Sequence, residues 1–379
     1  MKKIFSNLDR PLLIITIIFF IFGLIMILSA SSMESFMRYN YSPYHYFFRQ
    51  LIFLIIGLFA FLFIIIFPIK NYKKLDKFLL FITICSLVGL LVYGYTANNA
   101  VSWYKIGPLT IQPSKFKKIV VIIYLEVYYG KNKKNLDNQW TIIKPILFII
   151  IIVVLVAIQP DMGTAAIIML VALIVFYGVP IDKKYRNIFN KIFLGGIFIV
   201  ALVLITTGGK FLQSYQLERF NFIDPCERYQ EDSGYQLCNS FIAFKNGGLK
   251  GQGLGSSTQK YLYLPESYTD FIFPIIVEEW GLIVGIIILI AYIFVLFRII
   301  KIARKSTNLR NALISYGVFA YLLTHIMINL MGVMGIIPLT GVPLPFLSYG
   351  GSYAICLMIA LGLVQRVAIE TNHQKNRQI

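Results

Sequence analysis

Long apolar stretches recur along the whole chain, and no other feature of the sequence limits its fold as tightly. A crossing of the hydrocarbon layer needs about 20 mainly apolar residues, and lipid leaves only helices or closed barrels able to satisfy their own backbone. Stretches near 12–32, 47–68, 75–96, 115–129, 142–158, 163–179, 188–207, 271–299, 309–331 and 348–369 meet or approach that length, the fourth least well. The expectation is an all-α polytopic membrane protein with ten transmembrane helices, forming one integral membrane domain over residues 1–379. The first stretch has the outline of a secretory signal, with Lys2 and Lys3 before it and Leu28-Ser29-Ala30-Ser31 at its end. It is longer than a signal core, and further apolar stretches follow it, so it reads as a span. With 58% hydrophobic residues, an ordinary soluble domain is excluded.

A formal net charge of +18 would suggest nucleic acid in a soluble protein, but its placement argues otherwise. With the N-terminus inside, 23 of the 35 lysines and arginines fall in cytoplasmic segments and 12 outside. Six of those 12 lie in one long outer loop, where the positive-inside rule has little force. Basicity therefore encodes topology: both termini cytoplasmic, and residues 208–270 outside between the seventh and eighth helices. The acidic residues invert the pattern, with 9 of 17 between Glu218 and Glu279, which places the chemistry at the outer face.

That outer loop is far longer than a connection needs to be, and loops of such length are usually functional. Its middle, from Phe222 to Ser240, is polar. Phe241 to Phe244 and Tyr261 to Leu264 are apolar enough to dip toward the membrane, as short interfacial or re-entrant helices. Cys226 and Cys238 share the loop, and either a disulfide or two free thiols fits the spacing. Cys85 and Cys356 sit inside spans and read as packing residues.

The densest chemistry lies from Gly247 to Phe273. Gly247-Gly248-Leu249-Lys250-Gly251-Gln252-Gly253-Leu254-Gly255 offers backbone amides that can approach an anion, although glycines at a membrane surface more often mark turns. Lys260, Glu266 and Asp270 follow, so the region reads as a diphosphate-binding and acid/base segment. Asp270 stands where the loop enters an apolar span, and partial desolvation there suits a general base. A helix cap is the plainer reading of Thr269-Asp270. Glu278 and Glu279 lie two turns further in, and carboxylates inside a span are costly. Eight residues turn a helix by about 800°, so Glu278 shares the Asp270 side and supports the site, whereas Glu279 points away, toward another helix.

Other constellations are Trp103-Tyr104-Lys105 with Gln112-Pro113-Ser114-Lys115, the tight turn Gln159-Pro160-Asp161-Met162-Gly163-Thr164, and Pro338 to Ser352, whose prolines and glycines demand irregular backbone buried against protein. An aromatic belt explains Trp103 and Tyr104, and an Asx turn would explain Asp161. His325 and Asn329 share a helix face and read as helix-to-helix hydrogen bonds.

The runs Gly253 to Lys260, Leu264 to Phe273, Glu278-Glu279-Trp280-Gly281, Gln159 to Thr164 and Thr340 to Ser352 together resemble the SEDS family of shape, elongation, division and sporulation proteins, its division branch more than its elongation branch. The resemblance implies ten helices, polymerisation of lipid II into glycan strands at the outer face of the bacterial cytoplasmic membrane, and Asp270 as the essential carboxylate. It also implies a class B penicillin-binding protein as partner, among other divisome or elongasome proteins. The chain departs from the family pattern at Lys115, where Glu is usual, at Ser102, where Arg precedes Trp, and at Tyr353, where Ser is usual; Lys105 is placed to supply the missing positive charge. The catalytic set expected is Asp270 with Glu266 and Glu278. The substrate-binding set is Arg219, Lys245, Lys260, Lys105, Asp161 and Ser348. No metal-ligand cluster is visible, and a divalent cation (Mg or Mn) assisting the diphosphate is the only cofactor considered. Two rivals share the requirements in part: a lipid II flippase and a non-catalytic divisome scaffold. A flippase expects polar groups through the bilayer depth, whereas these carboxylates gather at one face.

Overall fold

The computed structural model describes residues 6–93, 95–97, 100–106, 109–159, 161–207 and 222–375. Each apolar stretch falls on one helix, in the order α1 (Arg10–Tyr39), α2 (His45–Ile66), α3 (Tyr72–Tyr93), α4 (Pro113–Lys131), α5 (Gln139–Ile158), α6 (Met162–Gly178), α7 (Lys183–Thr207), α9 (Ile272–Lys305), α10 (Leu309–Val333) and α11 (Gly351–Lys375). A further helix, α8 (Asp232–Gly247), lies in the loop between α7 and α9. Among the described residues, α1, α2, α5, α9, α10 and α11 are long and apolar enough to cross a bilayer, and shorter apolar helices cover Phe78–Leu90 and Met162–Gly178. The chain is a polytopic membrane protein.

Local chemistry sets the helix ends. Asp9 caps α1 by accepting from Leu12 N at 3.0 Å, with Pro11 in the first turn, and Asn40 closes the helix in the left-handed conformation. Asn138 and Asn308 cap α5 and α10 in the same manner. The packing then separates a buried centre from a lipid-facing rim. α10 and α11 are the most buried of the long helices, whereas Ile14, Ile18 and Ile21 of α1 and Phe59 and Phe63 of α2 are exposed, as lipid contact requires. Small residues let helices approach: Gly57 of α2 meets Met358 of α11, and Gly317 of α10 meets Ile122 of α4.

Two features depart from the sequence expectation. Between α3 and α4 the chain forms a small antiparallel meander of β1 (Tyr95–Ala97), β2 (Ala100–Ile106) and β3 (Leu109–Ile111), in the order β1-β2-β3. The Tyr104 hydroxyl donates to Ser86 O at 2.9 Å and so ties this meander to α3. Within the outer loop, 241–244 is helical as part of α8, but 261–264 is a series of turns, with Leu264 alone buried. Tyr261, Leu262 and Tyr263 are exposed and point into the surroundings, so no re-entrant helix forms there.

Candidate active site

The segment entering α9 is held from three directions. Asp270 is half-buried at the last loop position but one before α9. Its carbonyl accepts from Asn329 Nδ2 of α10 at 2.7 Å, and the same amide donates to Val342 O at 2.8 Å. One side chain thus joins α10, the start of α9 and the irregular segment before α11. Gly341 adopts φ 66°, and a methyl group there would lie 3.3 Å from Asp270 Oδ2, so its missing side chain leaves room beside the carboxylate. Thr340 in turn packs on the first turn of α6, where a Cβ on Gly163 would lie 2.8 Å from Thr340 O. Asp161 caps that turn, accepting from Thr164 N through Oδ1 at 3.1 Å, while its Oδ2 is buried without a hydrogen-bond partner. The structure therefore brings Asp161, Asp270 and the 340–343 segment into one neighbourhood.

Glu266 precedes this neighbourhood in a left-handed conformation, φ 56°, and holds its turn through Thr269, whose hydroxyl donates to Glu266 Oε2 at 2.7 Å. Its electrostatic neighbour is Glu34, a buried carboxylate near the end of α1. Tyr268 is sealed against Tyr46 and Tyr349, ring centroids 4.5 and 5.6 Å away. Burial pushes its phenol well above the ordinary range, reinforced by the hydrogen bond with Tyr46, so it acts as a neutral wall.

Glu278 and Glu279 divide as the helix geometry requires. Glu278 is fully buried and accepts from Asn246 Nδ2 (2.9 Å), Thr258 Oγ1 (2.9 Å), Gln259 N (3.3 Å) and the hydroxyl of Ser257, all supplied by the loop. Glu279 faces α1 and accepts from Ser29 Oγ. Lys260 corrects the sequence expectation: its ammonium lies 2.9 Å from Glu279 Oε1, and the two side chains are 4% and 0% exposed. It is committed to that carboxylate and is not presented to a diphosphate.

The glycine run also serves a different purpose from anion binding. α9 breaks at Gly281, which has φ 83° and ψ 167°. A continuous helix would pair Leu282 N with Glu278 O and Ile283 N with Glu279 O. Instead Leu282 N donates to Gly248 O and Ile283 N to Leu249 O, while Gln252 N and Gly253 N donate to Glu278 O and Glu279 O. The loop backbone thus supplies partners for these four groups at the break, as discontinuous helices at membrane depth require. A Cβ on Gly251 would lie 2.3 Å from Glu279 O, and one on Gly281 would lie 2.3 Å from Leu249 O, so the two glycines are where the backbones touch.

Of the remaining expected residues, Lys245 is exposed on the last turn of α8. Ser348 is buried, and its hydroxyl accepts from Leu344 N at 2.8 Å, closing the 344–348 turn. Arg219 and Pro160 lie outside the described residues, as does the side chain of Lys105, although its backbone belongs to β2. Cys226 and Cys238 are joined in a disulfide, Cα atoms 4.9 Å apart, that fastens the turn before α8 to the helix itself.

Sequence reasoning missed a buried pair of lysines at the start of α4. Lys118 Nζ lies 2.9 Å from His325 Nε2, and His325 Nδ1 faces Pro343 O at 3.3 Å. The consistent assignment has the ammonium donating to Nε2 and the Nδ1 proton donating to the carbonyl. Lys117 is 1% exposed, its Nζ has no hydrogen-bond partner, and it lies within electrostatic reach of the Asp161 carboxylate. The signal was in the sequence: Lys115, Lys117 and Lys118 crowd a helix N-terminus, the end where the dipole disfavours cations. Among the described residues, no group of three or more His, Cys, Asp or Glu side chains is placed to hold a metal ion.

Residues 9–373 match the family FTSW_RODA_SPOVE, described as a cell cycle protein. A probable peptidoglycan glycosyltransferase FtsW of Bacillus subtilis (strain 168) is 36% identical, covering 100% of this chain and 94% of that protein. Another so described, from Wigglesworthia glossinidia brevipalpis, is 37% identical over 97% of this chain and 95% of its own. The fold is also that of a chain in a solved peptidoglycan synthase complex studied for the coordination of polymerization and crosslinking, with TM-score 0.74 at 24% identity, over 96% of this chain and 98% of that one.

Proposed function

This chain belongs to the FtsW, RodA and SpoVE family of cell cycle proteins, and from that premise we propose that it is the peptidoglycan glycosyltransferase of cell division, polymerising lipid II into glycan strands. It is a multi-pass protein of the bacterial cytoplasmic membrane. Ten spans, with both termini inside and residues 208–270 outside, give the lysine and arginine distribution the sense that the positive-inside rule expects. The observation that carries the reaction is the convergence of Asp270, Asp161 and the 340–343 segment at the outer end of α6, α9 and α10.

In the reaction, a sugar hydroxyl of one lipid-linked unit attacks the anomeric carbon of another. One glycosidic C–O bond forms as the bond to the lipid diphosphate breaks. Asp270 accepts the hydroxyl proton, and the lipid diphosphate leaves as an anion. Lys117 replaces Lys260 as the group offered to that anion, because its donors have no hydrogen-bond partner and it lies within electrostatic reach of Asp161. Glu278 and Glu266 act on geometry alone, fixing the loop and the turn that present Asp270. A class B penicillin-binding protein, which the family resemblance implies, would receive the strand for crosslinking.

Polymerisation of purified lipid II by the purified chain, alone and with its partner, tests this reading. Asp270→Asn keeps the shape of the side chain but loses the base, so its rate should fall by about 10² to 10⁴ while its melting temperature stays unchanged. A variant that purifies normally and retains more than about a tenth of the rate, well short of the range for general-base catalysis, makes Asp270 an orienting group.

A further inference from the structure

The opposite end of the bundle carries a second site. Leu8 to Pro11 at the start of α1, Arg298, Ile302 and Lys305 at the end of α9, and Ala368, Thr371 and Asn372 on α11 enclose a cavity of about 310 Å³. Its charges do not cancel. Arg298 is matched by Asp9, through Nη2 to Oδ2 at 2.5 Å and Nε to Oδ1 at 3.2 Å. Arg10 and Lys305 are exposed at its rim, and neither has a carboxylate in the cavity left to pair with. The Thr371 hydroxyl in the wall is buried without a hydrogen-bond partner. Asn372, whose amide donates to Asn7 O at 2.9 Å, and the apolar Leu8, Pro11, Ile302 and Ala368 complete the lining. Along the two helices that frame the mouth, Ile14, Ile18 and Ile21 of α1 and Ile290, Ile293 and Phe297 of α9 are exposed, so alkyl chains have a surface to follow away from the cavity.

A cavity with two unmatched cations, an unpartnered hydroxyl and apolar rows leading from it suits a phosphate that carries alkyl chains. We propose that the pocket between α1, α9 and α11 binds the phosphodiester headgroup of an anionic glycerophospholipid from the cytoplasmic leaflet, at the basic face of the protein. Only the leaflet rests on the topology given above; the site itself depends on the cavity and its charges, and it is remote from Asp270, which lies at the other end of α9. The ligand's charge is met by Arg10 and Lys305, the Thr371 hydroxyl donates to a phosphate oxygen, and the Asp9–Arg298 pair fixes the wall between them.

Native mass spectrometry of the full chain in detergent, titrated with phosphatidylglycerol, phosphatidylcholine or inorganic phosphate, reads the site directly. One phosphatidylglycerol should be retained in preference to phosphatidylcholine, and inorganic phosphate should not displace it. The double variant Arg10→Gln/Lys305→Gln should weaken retention by about tenfold or more, and Lys305→Gln alone by a smaller factor. Lys133→Gln/Lys134→Gln removes the same charge from exposed positions on the same face and should leave retention unchanged. None of these residues touches the catalytic neighbourhood, so polymerisation in lipid-free detergent stays at the wild-type rate, and failure of the glycosyltransferase reading would leave the lipid measurement intact. Equal retention of the two lipids, displacement by phosphate, or an equal loss in both double variants would overturn the proposal.

Discussion

Lys260→Met removes an ammonium that lies 2.9 Å from Glu279 Oε1 in a pair whose side chains are 4% and 0% exposed. The carboxylate left behind keeps only the Ser29 hydroxyl as donor. Breaking a buried pair from one side costs about 3 to 5 kcal/mol, because a charge stays buried without compensation. Glu279→Gln should cost about the same from the other side, leaving the ammonium with an amide oxygen and Ser29 Oγ, which it meets at 3.1 Å. The double variant Lys260→Met/Glu279→Gln buries no charge, so its stability should return to within about 1 to 2 kcal/mol of wild type. The assay is a double-mutant cycle of reversible unfolding in mixed micelles, with lipid II polymerisation measured on each protein that folds. The double variant should polymerise at a rate near wild type. A double variant that folds normally and makes no glycan, or a stable and inactive Lys260→Met, would show that the lysine serves substrate after all.

Four other outcomes follow from the geometry, the first being the loss of polymerisation by Asp270→Asn described above. Gly251→Ala should destabilise far more than Gly255→Ala: both positions have φ near 80°, but a methyl at Gly251 meets backbone at 2.3 Å, whereas none is within 4 Å at Gly255. Gly255→Ala should cost about 1 to 2 kcal/mol, the left-handed penalty alone, and melting curves compare them. Mass analysis of non-reduced peptides should recover Cys226 linked to Cys238, and reduction should lower stability by about 3 kcal/mol at most; two free thiols would end the claim. In a Cys85→Ser background, Lys250→Cys in the loop should react with an impermeant thiol reagent in intact cells, and labelling only after lysis would invert the topology.

The helices were legible because each apolar stretch is long relative to its polar borders, so only their ends shifted. The opposite facing of Glu278 and Glu279 was legible too, since 100° per residue on a helix needs no tertiary information. The uses of Gly251 and Lys260 were not. Five glycines near a lysine suit an anion as well as they suit a close backbone crossing, and the choice depends on a break at Gly281, 30 residues later, whose positive φ no local pattern announces. The meander failed for a related reason: three short strands between two spans leave too few residues for alternation to register. Asn329 was read as a helix-to-helix contact, and it became the joint between Asp270 and Val342, because its partners belong to irregular backbone.

The exchange of partners at Gly281 also dictates an order of birth. A continuous helix can leave the insertion machinery as a finished unit, since all its backbone bonds are internal. The eighth apolar stretch cannot, because Leu282 N and Ile283 N find their acceptors on Gly248 and Leu249, and Glu278 O and Glu279 O find their donors on Gln252 and Gly253. The donating and accepting loop is synthesised first, yet it has nothing to pair with until residues 278–283 arrive at the same depth. Neither set of backbone groups is satisfied without the other, so the outer loop and the upper part of α9 must enter the finished protein together.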